Sequence, residues 1–381
     1  MDDIQFTDPS LSCGIYNKNE IPDFKETTFG LLAGATRIGG RHENQDSFGY
    51  SETKNGLLIV VCDGMGGAKG GKFASQLAVD TIIQAVENSD LISKTKILVQ
   101  ALARANEIIY RTSQSRKDVA GMGTTAVALL IDDEKATIAH IGDSRIYQIR
   151  DRRKVFRTFD HSMVFELVKR GTISEEQARL SAESNVILRA IGTKPEIDIE
   201  VNHDLPYLKG DRFLLCTDGI CGAMVEDKLI KLIATSKDTK ETAQTIADTI
   251  DKVGGKSGGN HDNLTAALIQ MNINSKLKPK MDKKSKIIIG IVSFLLIISL
   301  SVNWHQATKT KEGSTNDWKA KMDTITNSNK ALNEKVKSLV ETIKKDSDTV
   351  SALTNTLKCL NDSIQKIKRI ETPNPELNIH K

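Results

Sequence analysis

Four aspartates sit in small-residue turns, most of them just after strand-like apolar runs, and they lie far apart along the chain. They are Asp63 in Val60-Val-Cys-Asp-Gly-Met-Gly-Gly67, Asp143 in His140-Ile-Gly-Asp-Ser-Arg145, Asp218 in Leu214-Leu-Cys-Thr-Asp-Gly219 and Asp262 in Asn260-His-Asp-Asn-Leu-Thr265. A carboxylate at a strand end is rigidly aimed, and a glycine beside it lets backbone or ligand come close. Several carboxylates converging without basic partners repel one another unless a cation lies among them. Hard divalent ions such as Mg²⁺ or Mn²⁺ take oxygen sites of this kind. The pattern points to metal-dependent hydrolysis.

The elements that must aim these groups are legible as apolar periodicities. Residues 57–62 form a continuous apolar run suited to a buried strand, and residues 213–217 form another. Phe73, Leu77, Ile82 and Val86 recur at helical spacing, and residues 97–110 read similarly. Residues 124–131 and 136–141 are strand-like and are joined by Asp132-Asp-Glu-Lys135, a hairpin signal. Residues 147–150 are expected to continue that meander. From 160 to 192 the pattern turns helical and polar, with Ser174-Glu-Glu176 at a helix start. Residues 228–234 and 242–253 look helical, and 264–271 close as a strand. Hairpins with separate helices predict an α+β fold of stacked sheets covered by helices.

The rest of the chain carries other signals. The formal charge of +4 is mild and aromatics are 4% of 381 residues, which argues against a nucleic-acid partner. Five cysteines (Cys13, Cys62, Cys216, Cys221, Cys359) show no metal or disulfide spacing and fit a reducing compartment. No cleavable signal peptide is visible at the acidic start. Residues 287–302 are uncharged and mostly apolar. As a helix they span about 24 Å, against roughly 30 Å of hydrocarbon, with Lys286 and Trp304 at the two interfaces. Six lysines between 276 and 286 precede the run. They keep the globular region cytoplasmic and send the tail outward. The expected location is the inner or plasma membrane, crossed once. From Met322 a heptad runs through Asn329, Val336, Ile343, Val350, Leu357 and Ile364 at a. At d it runs through Ile325, Leu332, Leu339, Asp346, Leu353, Leu360 and Ile367. This predicts a homo-oligomeric coiled coil over 322–370. The full division is a lead-in (1–27), a catalytic domain (28–272), a basic linker (273–286), the membrane segment, a second linker (303–321), the coiled coil and a tail (371–381).

Eight short motifs then fall into one order. They are Arg41-His-Glu-Asn-Gln-Asp46, Asp63-Gly-Met-Gly-Gly67, Gly123-Thr-Thr125, Gly142-Asp-Ser-Arg145, Asp160-His-Ser162, Arg189-Ala-Ile-Gly192, Thr217-Asp-Gly219 and Asp262-Asn-Leu-Thr265. In that order they resemble the metal-dependent Ser/Thr protein phosphatases of the 2C type, and the chain resembles a bacterial member over residues 28–271. The resemblance implies a four-layer α-β-β-α sandwich of two antiparallel sheets. It implies a two-metal centre of Mg²⁺ or Mn²⁺, with a third, weaker site. Asp63 would bridge both ions with help from the Gly64 carbonyl. Asp218 and Asp262 would hold one ion, Asp46 would serve the other, and Asp143 with Asp218 would form the third site. Arg41 would bind the phosphate, and phosphorylated proteins would be the substrates. Residues 163–188 resemble the flap beside the bacterial site.

Two departures matter. The family usually has Glu before the aspartate of its first motif, and this chain has Gln45. Animal members often carry His where Met65 stands, which leaves the general acid open. His161, the nearest motif histidine, reads better as a structural residue beside Asp160. A catalytically silent binding module or membrane scaffold on the same fold is the alternative that Gln45 motivates.

Overall fold

A computed structural model describes residues 24–277, Lys237 aside. The lead-in before residue 24, the apolar run at 287–302 and the heptads at 322–370 lie outside the described residues. Among the described residues no helix is long and apolar enough to cross a membrane.

The chain opens with β1 (Lys25–Glu26), β2 (Gly30–Arg37), β3 (Asp46–Thr53) and β4 (Gly56–Met65). Two long helices follow, α1 (Gly67–Glu87) and α2 (Lys94–Ser115). Then come β5 (Gly123–Thr124), β6 (Ala126–Ile131), β7 (Ala136–Ile141), β8 (Arg145–Arg150) and β9 (Arg153–Arg157). The short helices α3 (Met163–Lys169) and α4 (Glu175–Arg179) lie in the stretch read as a flap. The last elements are β10 (Glu200–Leu205), β11 (Arg212–Cys216), α5 (Asp218–Cys221), α6 (Glu226–Thr235), α7 (Thr239–Lys256) and β12 (Leu264–Met271).

The strands form two antiparallel sheets. One has the order β1-β2-β12-β11-β8-β9, and the other β10-β7-β6-β4-β3 with β5 added to β4. Alternation along each strand sorts side chains between layers. In β4, Leu57, Ile59 and Val61 join the core between the sheets, with Phe48, Tyr50, Phe213, Leu215 and Ile269. Leu58, Val60 and Cys62 point the other way and pack under α1 and α2 against Ile82, Leu98 and Leu102. On the opposite side, Leu214, Cys216 and Leu268 meet Leu229, Ile246 and Ile250 of α6 and α7. Three apolar layers between four structural layers give the α-β-β-α sandwich that the family resemblance implies.

The β6–β7 hairpin forms through residues 132–135, where the Asp132 carboxylate accepts N–H bonds from Glu134 and Lys135 at 2.9 Å each. Ser174 caps α4 in a reciprocal capping box with Gln177. The expectation that residues 147–150 continue the meander fails. β8 leaves the β6–β7 sheet and pairs with β11 and β9 in the other one. The reason is Gly142, with φ 101°, where a Cβ would lie 2.6 Å from the Thr125 side chain. Only glycine takes that turn easily, and it carries the chain across the sandwich.

The domain also reaches further at both ends than the sequence suggests. β1 pairs with β2 ahead of Thr28. Residues 275–277, expected in a linker, bond to the domain through Ser275 N–H to Tyr207 O, Lys276 N–H to Asp133 O and Leu277 N–H to Glu134 O, each at 2.9 Å.

Candidate metal centre

Strand register builds the first half of the centre. β3 and β4 pair so that Asp46 stands directly opposite Asp63. Both share the strand parity of their inter-sheet neighbours Phe48 and Val61, so the carboxylates occupy the mouth of the sandwich where the apolar layer ends. Asp63 does not lie in a turn, as its sequence context suggests, because β4 runs on through Met65. The Gly123-Thr-Thr125 motif pins its backbone. Asp63 N–H donates to Thr125 Oγ1 at 3.0 Å, while Thr125 N–H and Thr124 Oγ1 donate to the Asp63 carbonyl at 2.8 Å. Gly64 must be glycine here, since a Cβ would lie 2.0 Å from the Gly71 carbonyl oxygen.

The other sheet supplies the second half. Asp218 opens α5 at the end of β11, and Asp262 precedes β12. Thr217 joins the halves. Its hydroxyl donates to Asp46 Oδ2 at 3.0 Å and accepts from Thr265 N–H at 3.1 Å. Asn263 braces the first motif, accepting from Gln45 N–H at 2.9 Å and donating to the Ile38 and Glu43 carbonyls. Asp143 follows the Gly142 turn and is buried. Ser144 beside it shares a hydrogen bond of 2.7 Å with Thr125. These threonines and Asn263 fall within the sequence motifs, but motif order alone assigns them no role. Their signal was present, because each adjoins a carboxylate or its partner strand.

The electrostatics show that the carboxylates converge. Burial, then the Asp218 and Asp262 charges, push Asp46 up to about 7 against the hydrogen bonds from Thr265 and Thr217. Asp63 is held well above the usual carboxylate range by burial and then by Asp46, Asp218, Asp143 and Asp262. Asp143 is raised well above it by burial and by Asp218, and Asp218 is raised by burial and by Asp262. Four like-charged groups press on Asp63, the situation that divalent cations relieve. Asp46 Oδ1 and Asp218 Oδ1 are buried with no hydrogen-bond partner. Orphaned, all-oxygen donors of this kind fit Mg²⁺ or Mn²⁺. The residues present fit the metal pair that the resemblance implies.

Arg41 stands at the rim, half exposed, with Nη2 donating to Asp262 Oδ2 at 2.8 Å. It lines a cavity of about 230 Å³ together with Asp143, Asp218, Asp262 and the flap residues Phe165 and Arg179. Asp46 and Asp63 lie outside that lining. Gln45 makes structural contacts. Its Nε2 donates to the Gly67 carbonyl at 2.8 Å, and its own carbonyl accepts from Gly64 N–H and Ser75 Oγ. A glutamate here would have no proton for Gly67.

Behind Asp143 the buried Arg145 grips Asp160 through two 2.6 Å bonds. Asp160→Ala would strand that guanidinium in the interior. The expected cost is about 3–5 kcal/mol, a fall of roughly 10 °C in Tm by calorimetry. An unchanged Tm would show that the pair is not structural.

His140, His161 and Glu200 also cluster, with candidate ligand atoms within 4.8 Å of one another. Their hydrogen bonds oppose a metal. Gly142 N–H donates to His161 Nδ1 at 3.1 Å, so the proton of the neutral ring sits on Nε2 and faces Glu200 at 3.2 Å. Metal-bound imidazoles do the reverse, donating from the nitrogen away from the ion. The two rings also stack at 4.8 Å and 8°, and an ion cannot lie in both ring planes. His161 is a clamp on the Gly142 turn.

The sequence profile of protein phosphatase 2C matches residues 33–268, more than half of the chain. The chain belongs to the protein phosphatase 2C family. Membership makes it a protein-serine/threonine phosphatase by family. It is 32% identical over 241 residues to the serine/threonine phosphatase stp of Listeria monocytogenes, covering 62% of this chain and 93% of that protein. A serine/threonine phosphatase structure from S. agalactiae superposes with a TM-score of 0.56 at 30% identity, covering 63% of this chain and 98% of the other. The catalytic domain of the phosphatase PstP, solved in complex with two manganese ions, gives 0.51 at 28% identity over 63% and 96%.

Proposed function

We propose that this chain is a membrane-tethered, Mg²⁺- or Mn²⁺-dependent phosphatase of phosphoserine and phosphothreonine in proteins. The observation that carries the reading is the convergence of Asp46, Asp63, Asp143 and Asp218, with Asp262 beside them, on one end of the sandwich with orphaned buried oxygens. Asp63 and the Gly64 carbonyl would hold both ions, Asp218 and Asp262 one, Asp46 the other, and Asp143 with Asp218 a third. Bound there, such ions acidify water enough to supply hydroxide near neutral pH.

The chain's own residues do the rest. Thr124, Thr125 and Thr217 hold Asp63 and Asp46 in place. Arg41 would leave Asp262 to that ion and turn its planar fork to the phosphate, whose charge such a group matches well. The phosphate would enter through the cavity between Asp218 and the flap.

Membrane tethering draws its support from the uncharged run at 287–302 and the lysines before it, with the catalytic domain cytoplasmic. The heptads from Met322 support an extracytoplasmic, homo-oligomeric coiled coil. The test is a purified chain assayed with Mn²⁺ on p-nitrophenyl phosphate and a phosphothreonine peptide, beside carbonate extraction of membranes carrying the full chain. Turnover lost to chelator and retention in the extracted pellet are expected. A chain that hydrolyses neither substrate sinks the enzymatic reading. Release by carbonate sinks the tether.

A further inference from the structure

The flap packs as its own small unit. Val164, Phe165 and Ala178 are buried, with Val168 and Ile173 against them, apart from the three main cores. It forms a wall of the cavity above Asp218, where Phe165, Arg179, Ser184 and Asn185 face the site residues. A unit with so small a core needs an anchor.

Arg157, the last residue of β9, supplies one. It is 5% exposed. Nη1 and Nη2 donate to the two carboxylate oxygens of Glu175 at 2.6 and 3.0 Å, in fork geometry. Nη1 also donates to Glu226 of α6 at 2.7 Å. The guanidinium lies over the Phe159 ring at 4.9 Å and the Phe165 ring at 5.5 Å. Arg145 lies over Phe165 too, at 4.8 Å. The flap's buried aromatic thus lies within cation–π reach of two guanidinium groups, one of them two residues from Asp143. Glu226 belongs to the body of the domain and Glu175 to the flap, so one guanidinium ties the two together.

We propose that Arg157 is a positioning residue for substrate binding, a latch that holds the flap wall over the cavity through Glu175. The flap would touch the polypeptide around the phosphorylated residue and not the phosphorus, so the latch acts on peptide binding. This rests on the phosphatase reading above. The Glu175 side is the one to release. Its side chain is 45% exposed against 20% for Glu226. Glu175→Ala also leaves Arg157 paired with Glu226, which protects the fold.

The full chain is assayed with Mn²⁺ on p-nitrophenyl phosphate and on a phosphothreonine peptide. Glu175→Ala is expected to raise KM for the peptide about tenfold, the loss of one charged hydrogen-bonded contact. Peptide kcat, aryl phosphate turnover and Tm stay near the wild type. Glu175→Gln, which keeps an acceptor for Arg157, recovers most of the peptide KM, and Arg157→Lys, which loses the fork, does not. Unchanged peptide KM in both Glu175→Ala and Arg157→Lys overturns the latch while the phosphatase reading stands. Equal losses on both substrates with a lowered Tm also overturn it, because they mark a merely structural pair. Wild-type protein inert toward both substrates removes the phosphatase reading, and the latch with it.

Discussion

Asp63→Asn is expected to lower kcat on p-nitrophenyl phosphate with Mn²⁺ by about 10³-fold or more, roughly 4 kcal/mol of barrier. Asp63 is the carboxylate on which the others converge. Asp46 faces it across the ladder, and Asp218, Asp143 and Asp262 add their fields. An amide of the same shape keeps the fold but removes the charge that would be shared between two ions. The same substitution has a second signature of opposite sign. It removes a like charge that burial and four neighbours disfavour, so the metal-free variant should melt no lower than the metal-free wild type, and should melt higher at neutral pH. Turnover and melting curves of both proteins check this. Full activity in the variant would end the case for a metal centre at Asp63. Lost activity with a collapsed melting temperature would show Asp63 to be structural.

Metal withdrawal should change stability as well as activity, and the change should depend on pH. Asp46 has its folded pKa raised from 3.8 to about 7, and Asp63, Asp143 and Asp218 are raised too. Between those values the folded chain binds more protons at Asp46 than the unfolded chain does. Stability without metal therefore falls as pH rises from about 4 to about 7. Asp46 alone could account for about 4 kcal/mol across that window. Bound Mn²⁺ replaces those protons and should flatten the slope. At neutral pH, Mn²⁺ at about a hundred times its Kd adds about 2.7 kcal/mol, or roughly 5–10 °C in a domain of this size. Melting temperatures with chelator and with Mn²⁺, from acid to neutral pH, give both numbers. Parallel curves in the two conditions would mean that no cation meets these carboxylates.

Much of the fold was readable because its signals are local. The apolar run at 57–62, the hairpin at 132–135 and the helix start at Ser174 each appear where periodicity or turn chemistry puts them. The misreadings were of partnership. Residues 147–150 are a strand, but the Gly142 turn sends them to the far sheet. β2 and β3 went unread although β3 carries Asp46. Their alanines, serines and glycines give a weak pattern, and their strand character comes from pairing with β12 and β4. Cys62, Cys216 and Cys221 are buried free thiols.

Residue types and motif order alone fix the chemistry on offer here: oxygen donors, an arginine and glycines beside the carboxylates, with a family whose profile fits them. Long-range pairing fixes the rest. That Asp46 faces Asp63, that Thr217 reaches Asp46 across 171 residues, and that Arg157 holds Glu175 and Glu226 at once follow from register and sheet packing. Local preference sets which face a side chain takes. Which distant face it meets depends on how two sheets and their helices exclude water together, and no short window of sequence contains that.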